Sequence, residues 1–199
     1  GNRLGASALM QGLADGYFIL PITIGDYLSK KFAEPKTDVN TKEFLDAEKS
    51  VQSRIDRLFS IKGTKTVDSI HKKLGNIMWE YVGMARDAEG LKKAVKEIAE
   101  LKEDFYKNVN VPGSQYEFNQ ELEKALRLED FFGIGELMAR DALNRNESCG
   151  GHFRVESQTE EGEAKRDDAN YMYVAAWEYK GEGVEPELHK EPLKYEFIK

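Results

Sequence analysis

Cysteine is almost missing from this chain of 199 residues: Cys149 stands alone. One thiol cannot build an internal disulfide framework, and such scarcity fits a reducing compartment. Long apolar runs are missing too. A membrane-crossing helix needs about 20 consecutive apolar residues. The longest greasy stretch, residues 17–24, is far shorter and contains Pro21. No basic segment followed by an apolar core opens the chain, so no secretory leader is expected. Positive charge is in deficit: 29 Lys and Arg face 36 Asp and Glu, a net charge of -7. Phosphate contacts need clustered Lys and Arg, so nucleic acid is not an expected partner. The acidity reads as a device for solubility. Histidine is scarce, with only His71, His152 and His189. None has a Cys or another His at metal-ligand spacing, so no zinc or other metal site is expected. The chain has no internal repeat and no G-x-G-x-x-G following a strand.

What is present is helical patterning. Residues 1–33 read as a helix crowded with small residues: Gly5, Ala6, Ser7, Ala8, Gly12, Ala14 and Gly16. Few side chains stand off such a helix, so another backbone or a flat ligand can approach closely. Pro21 lacks a backbone donor and is expected to kink or end the regular part. Residues 33–40 form a polar linker. From Thr41 the pattern turns to long amphipathic helices. Phe44, Val51, Ile55, Leu58 and Phe59 share one face. Ile70, Leu74, Ile77, Met78, Tyr81 and Val82 recur at helical spacing, with Gly83 as an interruption. Leu91, Ala94, Val95, Ile98, Leu101 and Phe105 make a clean apolar stripe. Pro112-Gly113 is a turn. Ser114-Gln115-Tyr116-Glu117 has the form of a capping box, which predicts a helix of about 30 residues from there to near Arg145, roughly 45 Å long. Gly133 and Gly135 inside it mark either packing sites or a local break. Beyond Asn146 the character changes again. Residues 158–168 are polar and loop-like, Tyr171–Tyr179 is aromatic and β-branched and predicts a strand, and Leu193–Ile198 could pair with it. The fold class expected is mainly α: a bundle of three to four long helices, preceded by a small-residue helix and followed by a short β appendage.

Few residues could carry chemistry unaided. His71 reads as a surface residue at a helix start, and His189 as solvated in a polar tail. His152 lies within six residues of Glu147 and Cys149, which raises a Cys–His nucleophile. Such pairs usually come from distant segments with facing side chains, so an inert Cys149 is the favoured reading. Arg3 stands just before a helix start rich in small residues. A helix N-terminus has free N–H groups and a positive dipole end, and a guanidinium adds a forked donor for a carboxylate. Taken alone, Arg3 reads more readily as an arginine at a frayed terminus.

Asn2-Arg3-Leu4-Gly5-Ala6-Ser7-Ala8-Leu9 resembles the N-R-L-G-[GA]-[NS]-[SA]-L signature of succinate dehydrogenase and fumarate reductase flavoproteins. Glu147-Ser148-Cys149-Gly150-Gly151-His152-Phe153-Arg154 resembles the family's E-S-R-G-A-H-x-R, followed after an insertion by Arg166-Asp167-Asp168. The segment from Leu74 through Met78 and Gly83 to Arg86, continued by Glu89-Gly90-Leu91, resembles a third family pattern. Three ordered motifs cover most of the chain. The resemblance implies the C-terminal part of a flavoprotein subunit. Residues 1–33 would be the terminal helix of a truncated FAD-binding domain, 41–147 the helical-bundle domain, and 148–199 a loop and small β appendage. It implies that Arg3 binds a substrate carboxylate and that Ala8 and Leu9 touch FAD through backbone. The chemistry implied is hydride transfer between FAD and succinate or fumarate, with electrons passed to an iron–sulfur subunit. A membrane-anchor subunit would hold the complex peripherally on the cytoplasmic side of the inner membrane. The flavin-attachment histidine, the dinucleotide-binding loop and a proton-shuttling arginine of the family have no counterpart here, so the isolated chain is expected to be inactive and not to retain FAD. Cys149 departs from the family arginine. With the insertion before Arg166, it implies a divergent branch, such as one paired with a diheme membrane subunit. L-aspartate oxidase, which shares the second motif, and a free-standing helical interaction module are the alternatives.

Overall fold

The computed structural model describes residues 6–181 and 183–194, with the side chains of Ala6 and Ser7 excluded. Arg3 lies outside the described residues. The chain is mainly α, as its periodicity predicts, and divides into two compact units. The first takes the described residues up to Asn76 together with Glu97–Gly135; the second takes Ile77–Lys96 with the described residues from Glu136 onward.

The first unit opens with α1 (Ala6–Ala14), a π-helical segment (Asp15–Ile19) and α2 (Leu20–Lys31). Pro21 neither ends the helix nor forces a stop. Just before it the Leu20 N–H donates to the Asp15 carbonyl, one residue wider than α spacing. A proline ring clashes with the carbonyl four residues earlier, and a π turn gives the ladder room. No residue of the π segment or α2 is buried. Leu9, Tyr17, Phe18, Ile22 and Tyr27 are all more than half exposed.

Next come α3 (Lys42–Ser60), β1 (Lys65–Thr66), α4 (Val67–Val82), α5 (Ala88–Asn108), β2 (Val109–Asn110) and α6 (Gln120–Asn144). The apolar stripe predicted for α5 is buried at Leu91, Ala94, Ile98, Leu101 and Phe105. In the first unit the Phe105 and Phe132 rings meet at 5.6 Å and 59°, which joins α5 to α6. Such tilted ring pairs add to the area they bury. β1 and β2 pair in parallel, Lys65 with Val109 and Thr66 with Asn110, so the start of α4 is tied to the end of α5. Gly63 is required there, because a Cβ would collide with the Asn108 backbone. Of the face predicted on α3, only Leu58 is buried, while Phe44 and Val51 are about half exposed. The C-terminal half of α3 is anchored by charge as well. The Glu129 carboxylate of α6, buried, accepts from Arg54 Nε at 2.8 Å and Arg57 Nη2 at 2.9 Å. Arg57 also lies over the Tyr106 ring, 4.2 Å from its centroid.

The capping box at Ser114–Glu117 does not start a helix. The Ser114 N–H does donate to Glu117 at 2.8 Å, but the Ser114 hydroxyl takes the Tyr116 N–H at 3.3 Å and closes a turn. Gly113 makes that turn possible with φ of 81°. α6 begins six residues later, where Asn119 Oδ1 accepts the Leu122 N–H at 3.0 Å as an N-cap. Its 25 residues run unbroken through both glycines. Gly133 is not a packing site, since a Cβ there would meet nothing, whereas Gly135 is buried.

In the second unit a short helix, α7 (Asp168–Tyr171), leads into an antiparallel hairpin of β3 (Tyr173–Glu178) and β4 (Glu187–Pro192). The first strand matches its sequence expectation. Its partner is Glu187–Pro192, with Tyr173 opposite Pro192 and Glu178 opposite Glu187; of the expected Leu193–Ile198, residues 195–198 lie outside the described residues. Charged, exposed β4 carries no apolar alternation to announce it. Trp177 Nε1 donates to Asp141 at 2.8 Å and ties the hairpin to α6.

Truncating a ring in the first unit should separate core from unpartnered surface. Phe132→Ala should cost about 3–5 kcal/mol in urea unfolding followed by circular dichroism, and Phe18→Ala no more than about 0.5 kcal/mol.

Candidate functional site

Two of the three sequence motifs come together in the second unit. Gly83 ends α4, and a Cβ on it would stand 2.6 Å from the Trp79 carbonyl oxygen. The chain turns to Arg86, whose backbone pairs with the other motif: Arg86 N–H to Phe153 O at 3.1 Å, and Val155 N–H to Arg86 O at 2.8 Å. The Arg86 guanidinium reaches back to the Val82 and Gly83 carbonyls and forward to His152 Nδ1 at 2.8 Å. A guanidinium only donates, so Nδ1 must be the acceptor. His152 is therefore neutral with its proton on Nε2, which donates to the Arg145 carbonyl at 2.7 Å.

Arg154, 2% exposed, closes the end of α6. Its Nη1 donates to the carbonyls of Ala142 at 2.9 Å, Leu143 at 3.3 Å and Arg145 at 3.4 Å. These are the last-turn carbonyls that a helix leaves without partners, at the negative end of its dipole. Arg154 Nε pairs with Glu156 at 3.2 Å, and Glu156 also accepts the Ala88 N–H at 2.6 Å, at the start of α5. Burial pushes the Glu156 carboxyl up, but the Ala88 N–H and Arg154 outweigh it and hold it below its ordinary value. Ser148, fully buried, donates to the Arg154 carbonyl and accepts the Arg154 N–H. Glu147, 3% exposed, takes Arg145 Nη1 at 2.6 Å and the Asp167 N–H at 2.8 Å. Arg166 pairs with Asp168 at 2.6 Å. Glu147, Ser148, His152 and Arg154, with Arg86, Glu156 and the Asp167 N–H, thus form one polar knot that fastens the loop to the ends of α4, α5 and α6, while Arg166 and Asp168 pair with each other at the surface.

This arrangement forms no Cys149–His152 side-chain pair. Both nitrogens of His152 are committed, to Arg86 and to Arg145, and neither bonds Cys149. Cys149 meets His152 only through backbone, with bonds of 2.9 and 3.0 Å. His71 is exposed on α4, not at its first turn, and its ring stacks on Phe131 at 5.4 Å. His189 is exposed but lies in β4 rather than a loose tail, hydrogen-bonded to Glu178 at 2.7 Å. The roles of Arg86 and Arg145 were not evident from sequence, although Arg86 closes one of the motifs. Of the expected flavin contacts, Ala8 is half-buried and Leu9 is 71% exposed in α1. Beyond the neighbouring residues and the local helix backbone, no atom comes within 4 Å of where a Cβ would stand on Gly12 or Gly16.

A family model described as fumarate reductase flavoprotein C-terminal matches residues 71–199. The chain belongs to this family. The fumarate reductase flavoprotein subunit of Haemophilus influenzae is 29% identical over 193 residues, covering 97% of this chain and 30% of that protein. That of Proteus vulgaris is 30% identical over 194 residues, with the same shares. A solved quinol–fumarate reductase with menaquinol molecules superposes with a TM-score of 0.71 at 25% identity, over 88% of this chain and 29% of its own. The chain thus spans about 30% of the length of the curated relatives it matches. The recognition drawn from the three motifs, and the oxidoreductase character of the relatives, agree with these matches.

Two outcomes test the knot. Burial lowers the His152 pKa; the Arg145 carbonyl opposes this, and the charges of Arg86, Arg154 and Arg145 add to it. The unfolded chain takes up that proton near pH 6.5 and the folded chain only at lower pH. The contribution is therefore complete above about pH 6.5 and is lost as pH falls toward the folded value. Urea unfolding between pH 7.5 and 5.5 should show this loss in the parent chain and a smaller one in His152→Gln. Arg154→Leu should cost about 3 kcal/mol or more at pH 7, since it strips three helix-end carbonyls and a carboxylate of their partner.

Proposed function

We propose that this chain is the C-terminal part of a flavoprotein subunit that interconverts succinate and fumarate by hydride transfer to or from FAD. The observation that carries the reading is the family match over residues 71–199, joined to relatives that align along 97% of the chain. On this reading residues 1–33 end the FAD-binding domain, 41–147 form the bundle that braces it, and 148–199 form the appendage. The rest of the subunit supplies the dinucleotide site and the proton-shuttling group, so this portion alone is inactive and holds no FAD.

Gly12 of α1 and Gly16 of the π segment have open space beside them, which supports close approach of a flat cofactor to this helix. Ala8 and Leu9 would face FAD through backbone, and bound FAD would supply the two-electron carrier. Arg3 would grip one substrate carboxylate through two parallel hydrogen bonds and stabilise the negative charge that develops on hydride transfer. An iron–sulfur subunit would take or give the electrons. No helix among the described residues is long and apolar enough to cross a membrane. Attachment to the cytoplasmic face of the inner membrane would therefore run through partner subunits, including a membrane anchor.

Steady-state kinetics of the assembled full-length enzyme, with an artificial electron acceptor, test this. Arg3→Ala should keep its flavin and lose at least about 2.7 kcal/mol of transition-state stabilisation, roughly a hundredfold in rate. Arg3→Lys keeps the charge without the fork and should lose less. Near-normal turnover in Arg3→Ala with full flavin content would remove Arg3 from the site.

A further inference from the structure

The outer part of the β3–β4 hairpin gathers a set of side chains that the redox reading does not use. Glu178 of β3 pairs directly with Glu187 of β4 in the ladder, and His189 pairs with Ala176. Residues two apart on a strand share a face, so Glu187 and His189 flank Glu178 on one side of the hairpin. One ligand atom from each of the three lies within 4.8 Å of the other two. Two carboxylates directly opposite each other on a sheet repel. Here a cation already sits between them: Lys180 Nζ lies 2.9 Å from Glu178 and 2.8 Å from Glu187. His189 Nε2 completes the group, 2.7 Å from the second Glu178 oxygen. The ladder sets the two glutamates opposite each other, and the lysine shows that the place between their carboxylates accepts positive charge.

We propose that this face of the hairpin binds a divalent transition-metal ion of the zinc class, ligated by His189 Nε2 and one carboxylate oxygen each from Glu178 and Glu187. Imidazole with carboxylates suits such an ion better than calcium or magnesium, which favour all-oxygen shells. Three protein ligands leave a fourth position for water. Metal entry displaces the Lys180 ammonium from between the carboxylates and moves the ring proton of His189 to Nδ1, so Lys180 acts as a built-in competitor. The bound ion bridges β3 to β4 and staples the hairpin. Spacing in sequence hides this site, because its ligands come from two strands and only one of them is a histidine.

The test is calorimetric titration of the 199-residue chain with zinc chloride, supported by the visible spectrum of the cobalt-substituted protein. The parent chain should bind one ion at this site. Lys180→Met should tighten binding about tenfold by removing an ammonium close to the ion. His189→Ala and Glu187→Gln should each weaken it at least about tenfold by deleting a ligand. His71→Ala and Cys149→Ser should leave it unchanged. All five side chains can be replaced without opening the core, and circular dichroism checks that each variant folds. Absence of zinc binding at millimolar concentration would overturn the proposal. So would binding indifferent to both His189→Ala and Lys180→Met, the mark of an adventitious ion only.

Discussion

The end of the longest helix sets the terms for the second unit. One buried guanidinium, that of Arg154, takes the carbonyls of Ala142 and Leu143 in the last turn of α6 and of Arg145 just beyond it. A buried charge of this kind is tolerable only with every donor occupied and a counter-charge near, and Glu156 supplies the charge. Once Arg154 is fixed, Ser148 must accept its N–H, Arg86 must pair with the backbone on either side of it, and His152 must present an unprotonated Nδ1 to Arg86. The motif residues are explained by this chain of requirements. Glu147, Ser148, His152, Arg154 and Arg86 each hold a polar partner that another side chain would leave stranded.

The first unit solves a similar problem with the opposite charge. Glu129 is buried on α6 and would be costly alone, yet two arginines of α3 occupy its two oxygens. The apolar faces of α4, α5 and α6 then need only bring Phe105 and Phe132 together for the three-helix core to form. By contrast, α1 and α2 carry a row of large apolar side chains with no cover among the described residues. Within the proposed flavoprotein this row would meet the rest of the subunit.

Periodicity made the long helices legible because each buried stripe repeats at the helical interval, and the stripe on α5 is buried at five of its six named positions. The start of α6 was misread because a serine–glutamate pair can close a turn as well as cap a helix, and the better cap, Asn119, lay five residues on. β4 was not read from sequence because its pairing is set by the ladder to β3 and not by its own pattern. The polar knot was visible as a motif but not as a mechanism. Nothing in the spacing of Arg86 and His152, 66 residues apart, announces a hydrogen bond between them. Arg3, on which the catalytic reading depends, lies outside the described residues, so its role rests on the motif and the family.

The central claim is that residues 8–31 belong to a larger flavoprotein and are held by it. Hydrogen exchange of backbone amides in this chain, set beside the same residues in the full-length FAD-bound subunit, tests it most directly. The account predicts fast exchange for residues 8–31 in the isolated chain, with residues 91–105 well protected, and strong protection of both segments in the full-length subunit. Equal protection of residues 8–31 in the two proteins would contradict it.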